Sequence, residues 1–407
     1  MDEKPEDTTP GSPIPPRRSP TAADARGVSQ LTVDAVTGVT DIVEEVHHTI
    51  ARLASPFGAP RSNRARGISG FVYRNVRRVT RATGFGFDTA LVPFAPLLDR
   101  YDVPRRDDAL AILNGVVGDH LAATDNPLAI PMHLRRDGHP LALDRPMHAA
   151  AAPHGRLLVL AHGLCMDDRG WMRQGHDHGV ALARDLDYVP LYLKYNSGRS
   201  IAANGRAFAD VLERLVGAWP VPVTDLVVVG HSMGGLVARS ASHVAGQAEH
   251  TWLRSLRALA FLGTPHHGAP LERAGNGVDL FLGASPFTAP FARLGLIRSA
   301  GVKDLRYGTI LDDREGAARA PGAHVPLPDV PCFAVAATKQ REPDGKAWTA
   351  VGDGLVPVRS ALGEHPDPAL ALAIPNARQR VFHGLGHFDL LSSRDVYAAL
   401  HGWLAED

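Results

Sequence analysis

The run Leu226-Val227-Val228-Val229-Gly230-His231-Ser232-Met233-Gly234-Gly235 constrains this chain more than any other, because it joins an apolar β-branched strand directly to the pattern G-x-S-x-G. Residues 236–244 can supply the helix that such a turn must enter. A strand, a sharp turn and a helix in that order make one step of a mainly parallel sheet with helices on its faces. A serine at the turn sits in strained backbone geometry with its hydroxyl projecting above the sheet, and glycines two residues to either side keep the turn clear of Cβ clashes. Ser232 is therefore read as a nucleophile, with Gly230, His231 and Gly234 supporting it.

The rest of the chain divides by pattern. Residues 1–30 are rich in proline and small polar side chains and lack the apolar content that offsets ordering entropy, which predicts a disordered tail. Residues 31–130 read as a helical N-terminal region, with helices predicted at 31–54, 68–83 and 87–98. Arg74, Arg77, Arg78 and Arg81 on the second helix suit solvated arginines on a packed helix, and leave peripheral contact with an anionic membrane open. From 131 to 407 short apolar runs alternate with helical spans, the signature of an α/β catalytic domain. Strands are expected at 128–134, 156–161, 188–195, 226–230, 258–262, 332–336 and 379–382, with Pro131 confining the first to a sheet edge. Helices are expected at 201–218, 234–245 and 394–404. The alternation lapses over 269–327, where a cap insertion is expected, its Phe281, Phe287 and Phe291 either lining an acyl pocket or simply packing.

Composition narrows the function. With 43 basic and 43 acidic side chains in 407 residues, no net field selects nucleic acid as a partner. Cys165 and Cys332 are too few for a disulfide framework, the N-terminus has no apolar signal segment, and no run is long enough to span a membrane, so a cytoplasmic protein is expected. The sequence carries no reading of oligomeric state.

A serine hydroxyl needs a neighbouring base, itself oriented by a third group. In the chain order that follows a G-x-S-x-G elbow the acid comes next and the histidine last. Asp353, flanked by Gly352 and Gly354, is the favoured acid over Asp344, which suits a surface turn, and Asp389. His387 is favoured as base over His383, because His383 abuts the last strand while His387 precedes the last helix. Asp389, two residues beyond His387, suits either bracing of a loop or a cation site. One carboxylate does not make a calcium site, so no metal is expected. The oxyanion of a tetrahedral intermediate needs backbone N–H donors. Met233 is one, and Leu164, which follows the turn-permitting Gly163 after the strand 156–161, is the other. His162 is expected to brace that loop rather than to join the catalytic residues.

These segments, together with Gly263-Thr264-Pro265-His266-His267-Gly268 and Tyr195-Asn196-Ser197-Gly198-Arg199, resemble the serine esterases and lipases of the α/β-hydrolase superfamily, particularly the branch of GPI inositol deacylase-like proteins and bacterial triacylglycerol lipases. The resemblance covers roughly residues 130–405. It implies an α/β-hydrolase fold, Ser232, Asp353 and His387 as nucleophile, acid and base, Met233 and Leu164 as oxyanion donors, no cofactor, and a small-molecule or lipid ester as substrate. An acyltransferase or thioesterase using the same residues, and a membrane-docked interaction protein with an inert hydrolase domain, are the alternatives.

Overall fold

The computed structural model describes residues 106–147, 154–269, 299–312, 325–341 and 352–406, besides Arg26, Gly27 and Gln30. The helices expected at 31–54, 68–83 and 87–98, and the three phenylalanines of the insertion, lie outside the described residues. In chain order the elements are α1 (Arg106–Ala123), β1 (His133–Arg136), β2 (His139–Pro140), β3 (Arg156–Ala161), α2 (His178–Leu186), β4 (Val189–Lys194), α3 (Ile201–Ala218), β5 (Asp225–His231), α4 (Met233–Gln247), β6 (Leu256–Leu262), α5 (Ala300–Tyr307), β7 (Cys332–Thr338), α6 (Val358–Ala361), β8 (Gln379–His383) and α7 (Arg394–Ala405).

One eight-stranded sheet runs in the order β2-β1-β4-β3-β5-β6-β7-β8. Strands β4, β3, β5, β6, β7 and β8 pair in parallel, and β1 pairs antiparallel with both β2 and β4. Both faces of the central strands are covered, which is why they read as unbroken apolar runs. Because side chains alternate along a strand, Leu157, Val159, Val228 and Phe261 face α3 and α4, packing with Phe208, Leu212, Leu236 and Val237. Leu158, Leu160, Val227 and Val229 face the other way, toward Leu182 of α2 and Val396, Leu400 and Trp403 of α7. The register sets Ala161 opposite Gly230 and His231 opposite Leu262, so β3, β5 and β6 end level at the carboxyl edge. The chain turns left from β3 to β4 and returns across β3 to β5, and the crevice between the ends of β3 and β5 is where such sheets place ligands.

The strand expected at 128–134 is shorter and later, at His133–Arg136. The preceding residues find their partners elsewhere. Asn114 of α1 donates its side-chain amide to Leu128 O (2.8 Å) and accepts the N–H of Ile130 (2.9 Å), which leaves those backbone groups no ladder to join. Pro131 thus stands outside the strand, and the edge is the short β2, where Pro140 sits. Helix α1 is fastened to the sheet side of the molecule by charge as well. Asp107 lies 3.4 Å from Lys194, and the buried Lys194 is 3.8 Å from Asp168, which Arg135 grips with Nη1 at 2.7 and 2.8 Å. Both cysteines are free thiols. Among the described residues no helix is long and apolar enough to cross a membrane.

Candidate active site

Strand β5 delivers its last residue, His231, into Ser232, and α4 begins at the next residue. Ser232 holds φ 55° and ψ −123°, a conformation costing about 1–3 kcal/mol for a residue with a Cβ. It persists because its surroundings over-determine it. The Ser232 N–H donates to Leu262 O of the neighbouring strand (2.9 Å), and the first turn of α4 lies so close to the exit of β3 that a Cβ on Gly234 would run into the Ala161 carbonyl oxygen. The Ser232 hydroxyl is buried and makes no hydrogen bond to the described residues.

Asp353 and His387 come together from two loops, after β7 and after β8. His387 Nδ1 donates to Asp353 Oδ2 at 2.7 Å, with both side chains about 1% exposed. The other carboxylate oxygen accepts the N–H groups of Leu355 (2.9 Å) and Val356 (2.8 Å), and the His387 N–H donates to Asp353 O (3.2 Å). With Nδ1 carrying the proton, the imidazole presents Nε2 as its basic nitrogen. His383 is exposed at the end of β8. Asp389 Oδ2 accepts the Gly386 N–H (2.9 Å), which braces the loop. Asp344 lies outside the described residues. Among those residues no three His, Cys, Asp or Glu side chains converge where they could hold a metal.

The loop after β3 passes directly over the serine. A Cβ on Gly163 would sit 3.1 Å from Ser232 Cβ and 3.3 Å from His231 Nδ1. Leu164, next along, is buried against the core, and Met233 carries the first N–H of α4, which has no carbonyl within the helix to receive it. His162 donates through Nδ1 to Gly163 O (2.8 Å), and burial holds its basicity down, so the ring is neutral. His231 is likewise held well below the ordinary histidine range by burial and by the neighbouring His387. It donates through Nε2 to His387 O (3.1 Å), its ring 4.7 Å from that of His387 and edge-on to Trp171.

The segment Gly263 to Gly268, singled out in the sequence only by resemblance, joins these parts. A Cβ on Gly263 would lie 3.1 Å from His387 Cε1. Thr264 Oγ1 donates to Gly230 O at 3.5 Å, and His266 Nδ1 faces the Arg239 guanidinium of α4 at 3.3 Å. The N–H groups of His266 and His267 reach Ser360 O (3.2 Å) and Ser360 Oγ (3.1 Å) on α6, just beyond the Asp353 loop. Ser360, Arg239 and His178, which donates to Leu390 O at 2.8 Å, are residues the sequence reading did not name. Ser360 and His178 bond side chain to backbone and Arg239 side chain to side chain, all across long separations, which no periodicity records.

Residues 192–293 match the model of the PGAP1-like alpha/beta domain family. No curated protein matches the sequence. Among solved structures, the mature form of the Bacillus licheniformis lipase BlEst2 is 17% identical over 67% of this chain and 98% of that chain, with a TM-score of 0.41. The naproxen esterase (carboxylesterase NP) of Bacillus subtilis is 15% identical over 62% of this chain and 84% of its own, with a TM-score of 0.36. YbtT, a type II thioesterase of the yersiniabactin pathway, is 18% identical over 62% and 93%, with a TM-score of 0.37. The mostly parallel eight-stranded sheet, its flanking helices and the serine elbow after β5 make this an α/β-hydrolase fold.

Proposed function

We propose that the chain is a serine hydrolase that cleaves carboxylic esters, a lipid or other acyl ester in particular, through an acyl-enzyme on Ser232. The observation that carries the reading is the buried His387–Asp353 pair at 2.7 Å, its imidazole 4.7 Å from the ring of His231, the residue that leads from a parallel strand into a serine held at φ 55°. His387 Nε2 takes the Ser232 proton as Oγ attacks the ester carbonyl, and Asp353 keeps the ring in the required tautomer and stabilises the imidazolium. The oxyanion accepts from the N–H groups of Met233 and Leu164. Collapse breaks the bond to the alkoxy group, which leaves as the alcohol with the proton from His387. Water, deprotonated by the same nitrogen, then attacks the acyl carbon, and Ser232 leaves with its proton restored. Because Cys165 lies in the same loop with its thiol pushed up to about 12 by burial, it stays protonated and does not compete as the nucleophile.

Labelling with a fluorophosphonate tests the assignment. The parent chain is expected to be labelled and Ser232→Ala to be blank, with esterase turnover lost roughly a million-fold. An unlabelled parent, or a variant labelled equally, overturns it. Product analysis with an added alcohol or thiol tests the second half-reaction: free acid is expected, and preferential transfer to the added nucleophile would reassign that step.

A further inference from the structure

The segment Tyr195-Asn196-Ser197-Gly198 leaves β4 and runs beside the loop that crosses Ser232, touching it at two points. The Tyr195 hydroxyl donates to His162 O at 2.8 Å, with its ring stacked on the imidazole at 4.4 Å between centroids. The Cys165 N–H donates to Ser197 Oγ at 3.1 Å. These bonds close on the residues immediately before and after Gly163-Leu164. The segment is itself fixed: Asn196 donates its side-chain amide to Gly118 O of α1 (2.8 Å), accepts the Gly198 N–H (3.0 Å), and receives the Asn204 side-chain amide at its carbonyl (3.0 Å). All three of Tyr195, Asn196 and Ser197 are buried.

The loop needs such holding. Cys165 has φ 58°, which a residue with a Cβ leaves readily unless constrained. Its side chain has no room to swing, because α1 passes so near that a Cβ on Gly115 would collide with Cys165 Sγ. The return from the insertion locks α1 in turn, with Ser299 Oγ donating to Gly115 O (2.7 Å) and the Ala300 N–H to Asp119 Oδ2 (2.8 Å).

We propose that Tyr195 and Ser197 are positioning residues that set the Leu164 N–H for the oxyanion, with α1 as the plate against which the loop is pressed. The inference rests on Leu164 as an oxyanion donor, the role given to it above. A backbone donor is placed only by its chain, and a shift of about 1 Å can cost up to a hundredfold in rate. Burial pushes the Tyr195 phenol up, so it remains a donor throughout the working range of the enzyme. Tyr195→Phe keeps the stacked ring and removes one bond, Ser197→Ala removes the other, and Ser197→Thr keeps the hydroxyl.

In the full chain, Tyr195→Phe and Ser197→Ala are each expected to lower kcat about tenfold, with KM and the pH dependence of kcat unchanged. Affinity for an alkyl boronic acid, whose tetrahedral adduct occupies the same hole, should weaken in proportion, and Ser197→Thr should recover most of both. Parental kcat in both deletion variants, or a rise in KM at constant kcat, overturns the brace. Should Ser197→Ala fail to fold, Tyr195→Phe decides. Fluorophosphonate labelling of the parent separates the two readings: an unlabelled parent sinks the serine hydrolase, whereas a labelled parent with fully active brace variants sinks only the brace.

Discussion

The elbow at Ser232 and the loop at 162–165 face each other across the same hydroxyl, and the first is held by missing side chains where the second is held by side chains from elsewhere. At the elbow, backbone packs on backbone, with Gly230 and Gly234 placed where any Cβ would strike the neighbouring chain. Its glycines lie within a few residues of the serine, and what they pack against is backbone: the carbonyls of Ala161 and His162, with Leu262 O receiving the Ser232 N–H. The loop over it accepts a hydrogen bond from the Tyr195 hydroxyl, donates one to Ser197 Oγ, and presses on α1 through Cys165. The His387 loop is built in the same manner, from Asp353, His231 and His178. The two regions should therefore fail differently: the elbow when atoms are added, the loops when a hydrogen bond or a proton is changed.

Asp353→Asn tests the loops at their strongest point. Asp353 accepts three hydrogen bonds and an asparagine side chain can face only one side of that set with its oxygen. If the amide nitrogen turns to His387, the ring is forced into the tautomer that cannot take the serine proton. We expect kcat to fall about 10⁴-fold near neutral pH, by steady-state hydrolysis of an aryl ester. A loss below tenfold would show that Asp353 is not what orients His387. Gly234→Ala tests the elbow by adding a single carbon against the Ala161 carbonyl. It should cost roughly 1–3 kcal/mol by denaturant unfolding, and activity with it, since Ser232 must shift. Parental stability would mean that the elbow has slack that the packing does not show.

The same contrast explains what could be read from the sequence. Strand β3 at Arg156–Ala161 and helix α3 at Ile201–Ala218 match their expected bounds, and β5, β6, β7, β8, α4 and α7 differ from theirs by no more than a few residues, because apolar runs and helical spacing state burial directly. The elbow is equally legible, its glycines being adjacent. The first strand starts later than its apolar run suggests, because the backbone at 128–130 is satisfied by one asparagine, Asn114, on a helix whose spacing does not stand out from the N-terminal region. The Tyr195 to Ser197 brace was visible as a motif and opaque as a device: a hydroxyl that bonds to a backbone more than thirty residues away leaves no period in the chain. Chain order singles out Asp353 and His387, which the structure brings to 2.7 Å, but not the double grip of Leu355 and Val356 on Asp353.

The last contrast concerns protons. His162, His178, His231 and His266 are all buried and all held below the ordinary histidine range, chiefly by desolvation, with His178 down to about 4. The native state keeps these rings neutral, whereas the unfolded chain protonates them near pH 6.5. Above that pH neither state binds the protons and their full contribution to stability is present. As the pH falls below about 6.5 the unfolded chain takes up protons the native chain refuses, and stability drops by up to about 1.4 kcal/mol per pH unit for each ring until its native value is reached. Denaturant midpoints between about pH 7 and 5 should therefore fall on acidification, and His178→Gln, which removes one such ring from beneath the His387 loop, should lower the slope by one proton. Gly234→Ala sets its added carbon against the carbonyl oxygens of Ala161 and His162, not against a titrating side chain, and should lower stability equally at every pH as long as the His162 and His231 rings stay buried. A change of slope in the elbow variant, or an unchanged slope in His178→Gln, would mean that the two regions share their support instead of dividing it.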